Sequence, residues 1–136
     1  MAVYRQFALA KKIAIAAMLV AIFVAGCGKS GPPRYHVTGK LTYGGTPVPA
    51  GVIFFEPDFT KKNDGPSGFA HVKNGQFDTR TDGQPVVSGP HQIRIHAFDG
   101  KPGNELPMGQ MIAPEFTTTA DFPEEDSVKS FDIPKG

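Results

Sequence analysis

The sequence predicts an all-β domain, a sandwich of six or seven short strands, preceded by an N-terminal signal helix. Three observations carry that expectation. Gly (16) and Pro (13) are abundant in a chain of 136 residues, and each breaks helices for its own steric reason. After residue 34 no stretch holds a helical period over the length of a helix, whereas several alternate with period two. Turn signals recur at roughly ten-residue spacing, as between the short strands of a sandwich.

The chain begins with "MAVYRQFALAKK", which carries Arg5, Lys11 and Lys12 and no acid. Residues 13–26, "IAIAAMLVAIFVAG", follow without a charge. As a helix of about 1.5 Å per residue this run spans roughly 21 Å, short of a ~30 Å hydrocarbon core. A basic start, an apolar middle and small residues at the end match a secretory signal. A buried core helix or a membrane-spanning anchor is the competing reading. Residues 28–34, "GKSGPPR", read as a tether, loosened by Gly and Ser and extended by two prolines.

The domain then opens on "YHVTGKLTY" (35–43). Tyr35, Val37, Gly39, Leu41 and Tyr43 fall on one face, His36, Thr38, Lys40 and Thr42 on the other, as in a half-buried strand. "GGTPVPAG" breaks it, and "VIFFEP" (52–57) is a second strand, apolar on both sides. A polar loop, "DFTKKNDGPSG", leads to "FAHVKNGQFDTR". There two strands flank Asn74-Gly75, the pair that a type I′ hairpin turn demands. After "TDGQPVVSGP" comes "HQIRIHAF" (91–98), with Ile93, Ile95 and Ala97 alternating with Gln92, Arg94 and His96. Residues 99–127 have poor periodicity; a short strand is expected at 116–119, with room for a helical turn. "VKSFDIP" closes the chain with Phe131 and Ile133 facing inward. A domain of about 100 residues can bury an adequate core without disulfides.

Charge excludes one function class. The formal net charge is +1, and with Arg5, Lys11 and Lys12 set aside 11 basic side chains face 13 acidic ones. A nucleic-acid binder needs a clustered basic face, so no nucleic-acid partner is expected.

The candidate sites are few. His36, His71, His91 and His96 show no zinc-motif spacing, and His91 and His96, five apart in a strand, face opposite sides. The histidines are expected to be solvated on their strands. His36, His71 and His96 converge only if their strands are neighbours. Glu124, Glu125 and Asp126 with Asp121 lack the ligand alternation and central Gly of an EF-hand loop; a solvated turn guarding the last strand is expected. Ser30, Ser67, Ser88, Ser127 and Ser130 have no Gly-x-Ser-x-Gly context. Tyr35, Tyr43, Phe55, Phe59 and Phe69 are core residues or, in the sharper reading, an aromatic platform for sugar or peptide. No catalytic, metal or cofactor site is expected.

Cys27 is the only cysteine, so no internal disulfide is possible. "VAGC", residues 24–27, sits at the end of the apolar run and resembles the lipobox of bacterial lipoproteins. The resemblance implies cleavage between Gly26 and Cys27, with Cys27 the first mature residue, carrying lipid on its sulfur and an acyl group on its amine. Two or more chains give stable anchoring where one does not. Gly28 is not the Asp that marks inner-membrane retention in some bacteria, so anchoring to the cell membrane or the outer membrane both stay open.

"VTGKLTYGGTPVPAGVIFFEP" in turn resembles the opening of the transthyretin-like or carboxypeptidase-regulatory-like sandwich domains of small bacterial lipoproteins. The matching positions are Val37, Gly39, Leu41, Gly45, Pro47, Val48, Gly51 (or Ala50), Val52 and Phe54. "KNGQFD", "SGPHQIRI" and "FDIP" follow the same order. The resemblance implies an immunoglobulin/transthyretin-like fold and an envelope location, and it brings no catalytic set. Residues 1–26 are thus expected to be a lipoprotein signal peptide, 27–34 a lipidated tether and 35–136 the β-sandwich domain. The expected function is a non-enzymatic, lipid-anchored structural or interaction module with an envelope-protein or saccharide partner. The alternative is a receptor for saccharide, peptide or metal, using loops 58–67 and 99–127.

Overall fold

A computed structural model describes Gly26, Gly28 and residues 31–136. The expected signal helix and Cys27 lie outside the described residues. Pro32–Gly136 forms one compact unit.

The unit is all-β. Its strands are β1 (Val37–Tyr43), β2 (Thr46–Pro47), β3 (Ala50–Pro57), β4 (Gly68–Lys73), β5 (Gln76–Asp78), β6 (Gly83–Gln84), β7 (Gly89–Phe98), β8 (Phe116–Phe122), β9 (Ser127–Val128) and β10 (Phe131–Ile133). Seven of them form one hydrogen-bonded path, β10-β1-β5-β4-β3-β7-β8, with β2, β6 and β9 off it. The result is an open sheet curled over its own core. The path is continuous where two stacked sheets were expected. β1 explains this: Thr38–Lys40 pairs with β5, and Leu41–Tyr43 pairs with β10 and β2, so a single strand carries hydrogen bonds into both parts of the fold.

Period two gives the inner face. Val37 and Leu41 of β1, Ile53 and Phe55 of β3, Ala70 and Val72 of β4, and Ile93, Ile95 and Ala97 of β7 are all buried. Phe131 and Ile133 of β10 are buried as the alternation requires. Phe55 meets Phe122 edge-on with ring centroids 5.6 Å apart, and Phe77 stacks on Phe131 at 6.3 Å, so β3, β8, β5 and β10 are tied together through aromatic rings. Burying each such aliphatic or aromatic side chain contributes about 1.5–3 kcal/mol.

One turn depends on backbone that most residues avoid, and one position of β1 depends on having no side chain. Asn74 and Gly75 have φ of 51° and 73°, the two positive values of a type I′ hairpin. β4 and β5 pair there only at Lys73↔Gln76, after which β5 runs on to β1. At Gly39 the constraint is space: an added Cβ would lie 1.9 Å from the Lys129 carbonyl oxygen. The absent side chain lets Lys129 donate its N–H to Thr38 O at 2.8 Å, locking the C-terminal stretch onto β1.

Some boundaries differ from the sequence reading. Tyr35 makes only an isolated bridge to Val86, outside β1. β3 starts at Ala50, two residues early, because Ala50 and Gly51 still pair with β4 and β7. β8 continues from 119 to Phe122, since Ala120 and Phe122 supply inward packing. The expected helical turn lies elsewhere, as a 3-10 turn at Phe59–Lys61 capped by Asp58.

Candidate functional site

The outer face of β4, β3 and β7 carries the densest polar chemistry of the domain. Residues directly opposite on neighbouring strands share a face, and Val52 lies opposite His71 of β4 on one side and His96 of β7 on the other. The strands are about 4.7–4.9 Å apart, so the two histidines stand some 10 Å from each other across Val52. The next row is Phe69, Phe54 and Arg94, and Glu56 lies beyond it.

The two histidines are each held by a carboxylate. His71 Nδ1 lies 2.7 Å from Asp82 Oδ1, and Lys73 Nζ is 3.4 Å from the other carboxylate oxygen. The His71 hydrogen bond holds the Asp82 carboxyl below its ordinary range, with Lys73 acting in the same sense. His96 Nε2 lies 2.8 Å from Glu115 Oε2. Arg94 donates to Glu56 at 2.6 Å and places its guanidinium 4.9 Å from the Phe54 ring centre. Phe54 and Phe69 each meet a histidine edge-on, His96 at 5.9 Å and His71 at 5.5 Å. The face is therefore a lattice of half-buried aromatic rings framed by paired charges. Such groups present stacking surface and hydrogen-bonding edges together, which is what a protein or saccharide partner requires.

His71, Lys73 and Asp82 also form the wall shared by two grooves. One, of about 500 Å³, runs between this wall with Pro49 and Ala50 and the loop residues Gly100, Pro107 and Met108. The other, of about 370 Å³, is lined by Gln76, Asp78 and Thr81 as well.

The structure brings together two of the histidines read from the sequence and separates the others. His36 Nδ1 lies 3.2 Å from the Thr79 hydroxyl on β1's side of the sheet. His91 was expected in solvent and is instead 1% exposed. Its Nδ1–H donates to the Gly89 carbonyl at 2.9 Å, its ring packs edge-on against Phe122 at 5.0 Å, and Nε2 has no partner among the described residues. Burial pushes its pKa down. The parity that places Ile93, Ile95 and Ala97 inward also places residue 91 inward, and that signal was present in the sequence. Among the described residues no three His, Cys, Asp or Glu side chains gather as a metal ion would need.

Other expectations are redistributed. The five aromatics do not form one platform: Phe55 is core, Phe59 is 78% exposed on the 3-10 turn, and Phe69 lies on the outer face beside Phe54. Phe54 was missed as a surface residue because the "VIFF" run hides which parity faces out. Of the expected 58–67 and 99–127 segments, residues 58–67 and 99–115 lie at opposite ends of β3, since Phe55 pairs with Gly68 while Ala50 pairs with Lys73 and Phe98; Glu124, near the end of the second segment, instead lines a groove with Asn63, Asp64 and Gly65. Asp126 is exposed in its turn as expected, and there it accepts the His36 N–H at 2.8 Å and forms an ion pair with Arg80. The His36 N–H is the main cause of its lowered pKa. Gly26 is exposed.

Comparison of the chain with protein-family models, with curated proteins and with solved structures finds no match in any of the three.

Proposed function

We propose that the chain is a lipid-anchored, non-enzymatic module of the bacterial cell envelope. In this reading Cys27 holds it to membrane lipid, and the outer face of β4, β3 and β7 meets an envelope protein. The single observation that carries the reading is "VAGC" at residues 24–27, directly after an uncharged apolar run with a basic start. The curled all-β unit suits the transthyretin-like or carboxypeptidase-regulatory-like sandwich family that the sequence resembles. The outer face supports an interaction role because Phe54, Phe69, His71, Arg94 and His96 are all set by cross-strand pairing, with Asp82 and Glu115 pairing to the histidines from the adjoining connections.

Labelling cells with a radioactive or clickable fatty acid tests the anchor. The wild-type chain is expected to take the label and sediment with membranes, and Cys27→Ser to lose both. A Cys27→Ser chain that stays labelled and membrane-bound overturns it.

The groove beside His71 favours a second reading, a receptor for a saccharide or peptide. Its volume of about 500 Å³ falls in the usual range of small-ligand sites. Saturation-transfer NMR against an envelope saccharide or peptide library, with Met108→Asp as the control, separates the two readings.

A further inference from the structure

β8 ends the sheet path, with β7 on one side and, among the described residues, no strand on the other. Asp58 N–H donates to the Pro90 carbonyl, so residue 90 of β7 points its backbone toward β3. By alternation residues 89, 91, 93 and 95 point theirs toward β8. Ile112 N–H donating to the Ala97 carbonyl on the β8 side agrees. Pro90 has no N–H to give, and it stands opposite Asp121. On β8 the residues bonded to β7 are therefore Phe116, Thr118, Ala120 and Phe122. Thr117, Thr119 and Asp121 turn their N–H and C=O groups to the open edge, and all three are exposed.

This edge lacks the devices that usually protect one. Natural edge strands are short, or carry Lys, Pro or a bulge. β8 is seven residues long, "FTTTADF", with no Lys, no Pro and one charge. Its seven residues pair with β7 in an unbroken register, so no bulge twists it away.

We propose that β8 pairs antiparallel with β8 of a second copy of this chain, about a two-fold axis through Thr119. Register selects this arrangement. With Thr119 opposite Thr119 of the second copy, Thr117 falls opposite Asp121, and all three edge residues meet one another. That closes six backbone hydrogen bonds from the three residues on each copy. On the exposed face each Asp121 carboxylate receives a Thr117 hydroxyl, and on the inner face Phe116 stands opposite Phe122. Other registers fail on charge or on donors. Moving the axis to Thr118 sets Asp121 against Glu115; centring it on Asp121 sets two carboxylates together; centring it on Ala120 puts Thr117 opposite Pro123, which has no N–H. The second copy is thus a better match to this edge than an arbitrary strand, and the pairing does not depend on the anchor.

Cysteine scanning of the full chain reads the register. Opposed residues in a hydrogen-bonded antiparallel pair have Cα atoms about 5.5 Å apart, within disulfide reach; residues 117 and 121 lie too far from their own copies. Under mild oxidation, Thr119→Cys is expected to give a disulfide dimer in most of the population, with Thr117→Cys and Asp121→Cys at the level of the wild-type chain, whose Cys27 sets the background. Thr119→Lys, which only changes the edge, is expected to shift the sedimentation mass from dimer to monomer with the far-UV spectrum and unfolding midpoint unchanged. Equal crosslinking at all three positions, no crosslink at 119, or a Thr119→Lys chain that stays dimeric overturns the proposal. So does a monomeric wild type that instead captures a foreign peptide along β8.

Discussion

The inner and outer faces of the same three strands treat histidine in opposite ways. On the inner face His91 is shut in with Phe122, gives one N–H to a backbone carbonyl, and is held neutral by burial. On the outer face His71 and His96 each lie against a carboxylate within 2.8 Å and beside an aromatic ring. The first arrangement is set by packing and the second by partners. The inner face is therefore expected to govern stability, and the outer face to be tuned with little effect on the fold.

The largest effect belongs to Phe55, fully buried between Phe77 and Phe122. Phe55→Ala removes the ring and leaves a cavity, at a cost of about 3–5 kcal/mol. Its neighbour Phe54 points outward and is half-buried, so Phe54→Ala is expected to cost about 1 kcal/mol or less, in line with surface changes. Urea unfolding of the pair checks this. Similar midpoints for the two variants break the comparison.

Gly39 comes next. Gly39→Ala sets a methyl against the Lys129 carbonyl, and the backbone there cannot swing aside as a side-chain tip would. The strain is expected to cost about 1–3 kcal/mol and to appear as faster hydrogen exchange at Lys129, whose amide bonds Thr38 O. Unchanged exchange at that amide refutes the close-approach account.

These two cases mark how much was legible beforehand. Alternation in "YHVTGKLTY" and "HQIRIHAF" gave the inner residues of β1 and β7, and Asn74-Gly75 gave the β4–β5 turn. Pairing was not legible, because period two says which way a side chain points and nothing about which strand lies beside it. The parallel placement of β10 on β1 and the passage of β5 from β4 to β1 are both non-local. The His71–Val52–His96 row follows from strand order alone, so it was invisible. Asp126 is exposed as expected, but its partners were not legible for the same reason: His36 and Arg80 are 90 and 46 residues away.

Acid should separate the faces in two steps. Burial lowers the His91 pKa in the fold, so as pH falls below about 6.5 the unfolded chain binds a proton that the folded chain refuses. The His91 contribution is whole above that pH and is lost below it, with a slope of at most about 1.4 kcal/mol per pH unit. Asp82 behaves in the opposite range: its lowered pKa stabilises the fold above about 3.9, and that share is lost as pH falls through the folded value. His91→Leu is expected to flatten the stability curve below about pH 6.5, and Asp82→Asn to flatten it only below about 4. If His91→Leu leaves the upper slope intact, the inner histidine is not what titrates there.

The smallest effect on folding is expected at Arg94, whose guanidinium pairs with Glu56 and covers Phe54. Both side chains of the pair are about two-fifths exposed, and exposed pairs contribute about 0–1 kcal/mol. Arg94→Ala should therefore shift urea unfolding by no more than about 1 kcal/mol. In the proposed role the same change removes a planar donor and uncovers a ring at the centre of the contact face, where arginine and aromatics dominate partner affinity. Crosslinking of the membrane-held chain to its envelope neighbours is accordingly expected to fall at least fivefold in Arg94→Ala and to survive in Arg80→Ala, whose ion pair with Asp126 lies off this face. Equal losses in the two variants would place the contact elsewhere on the domain.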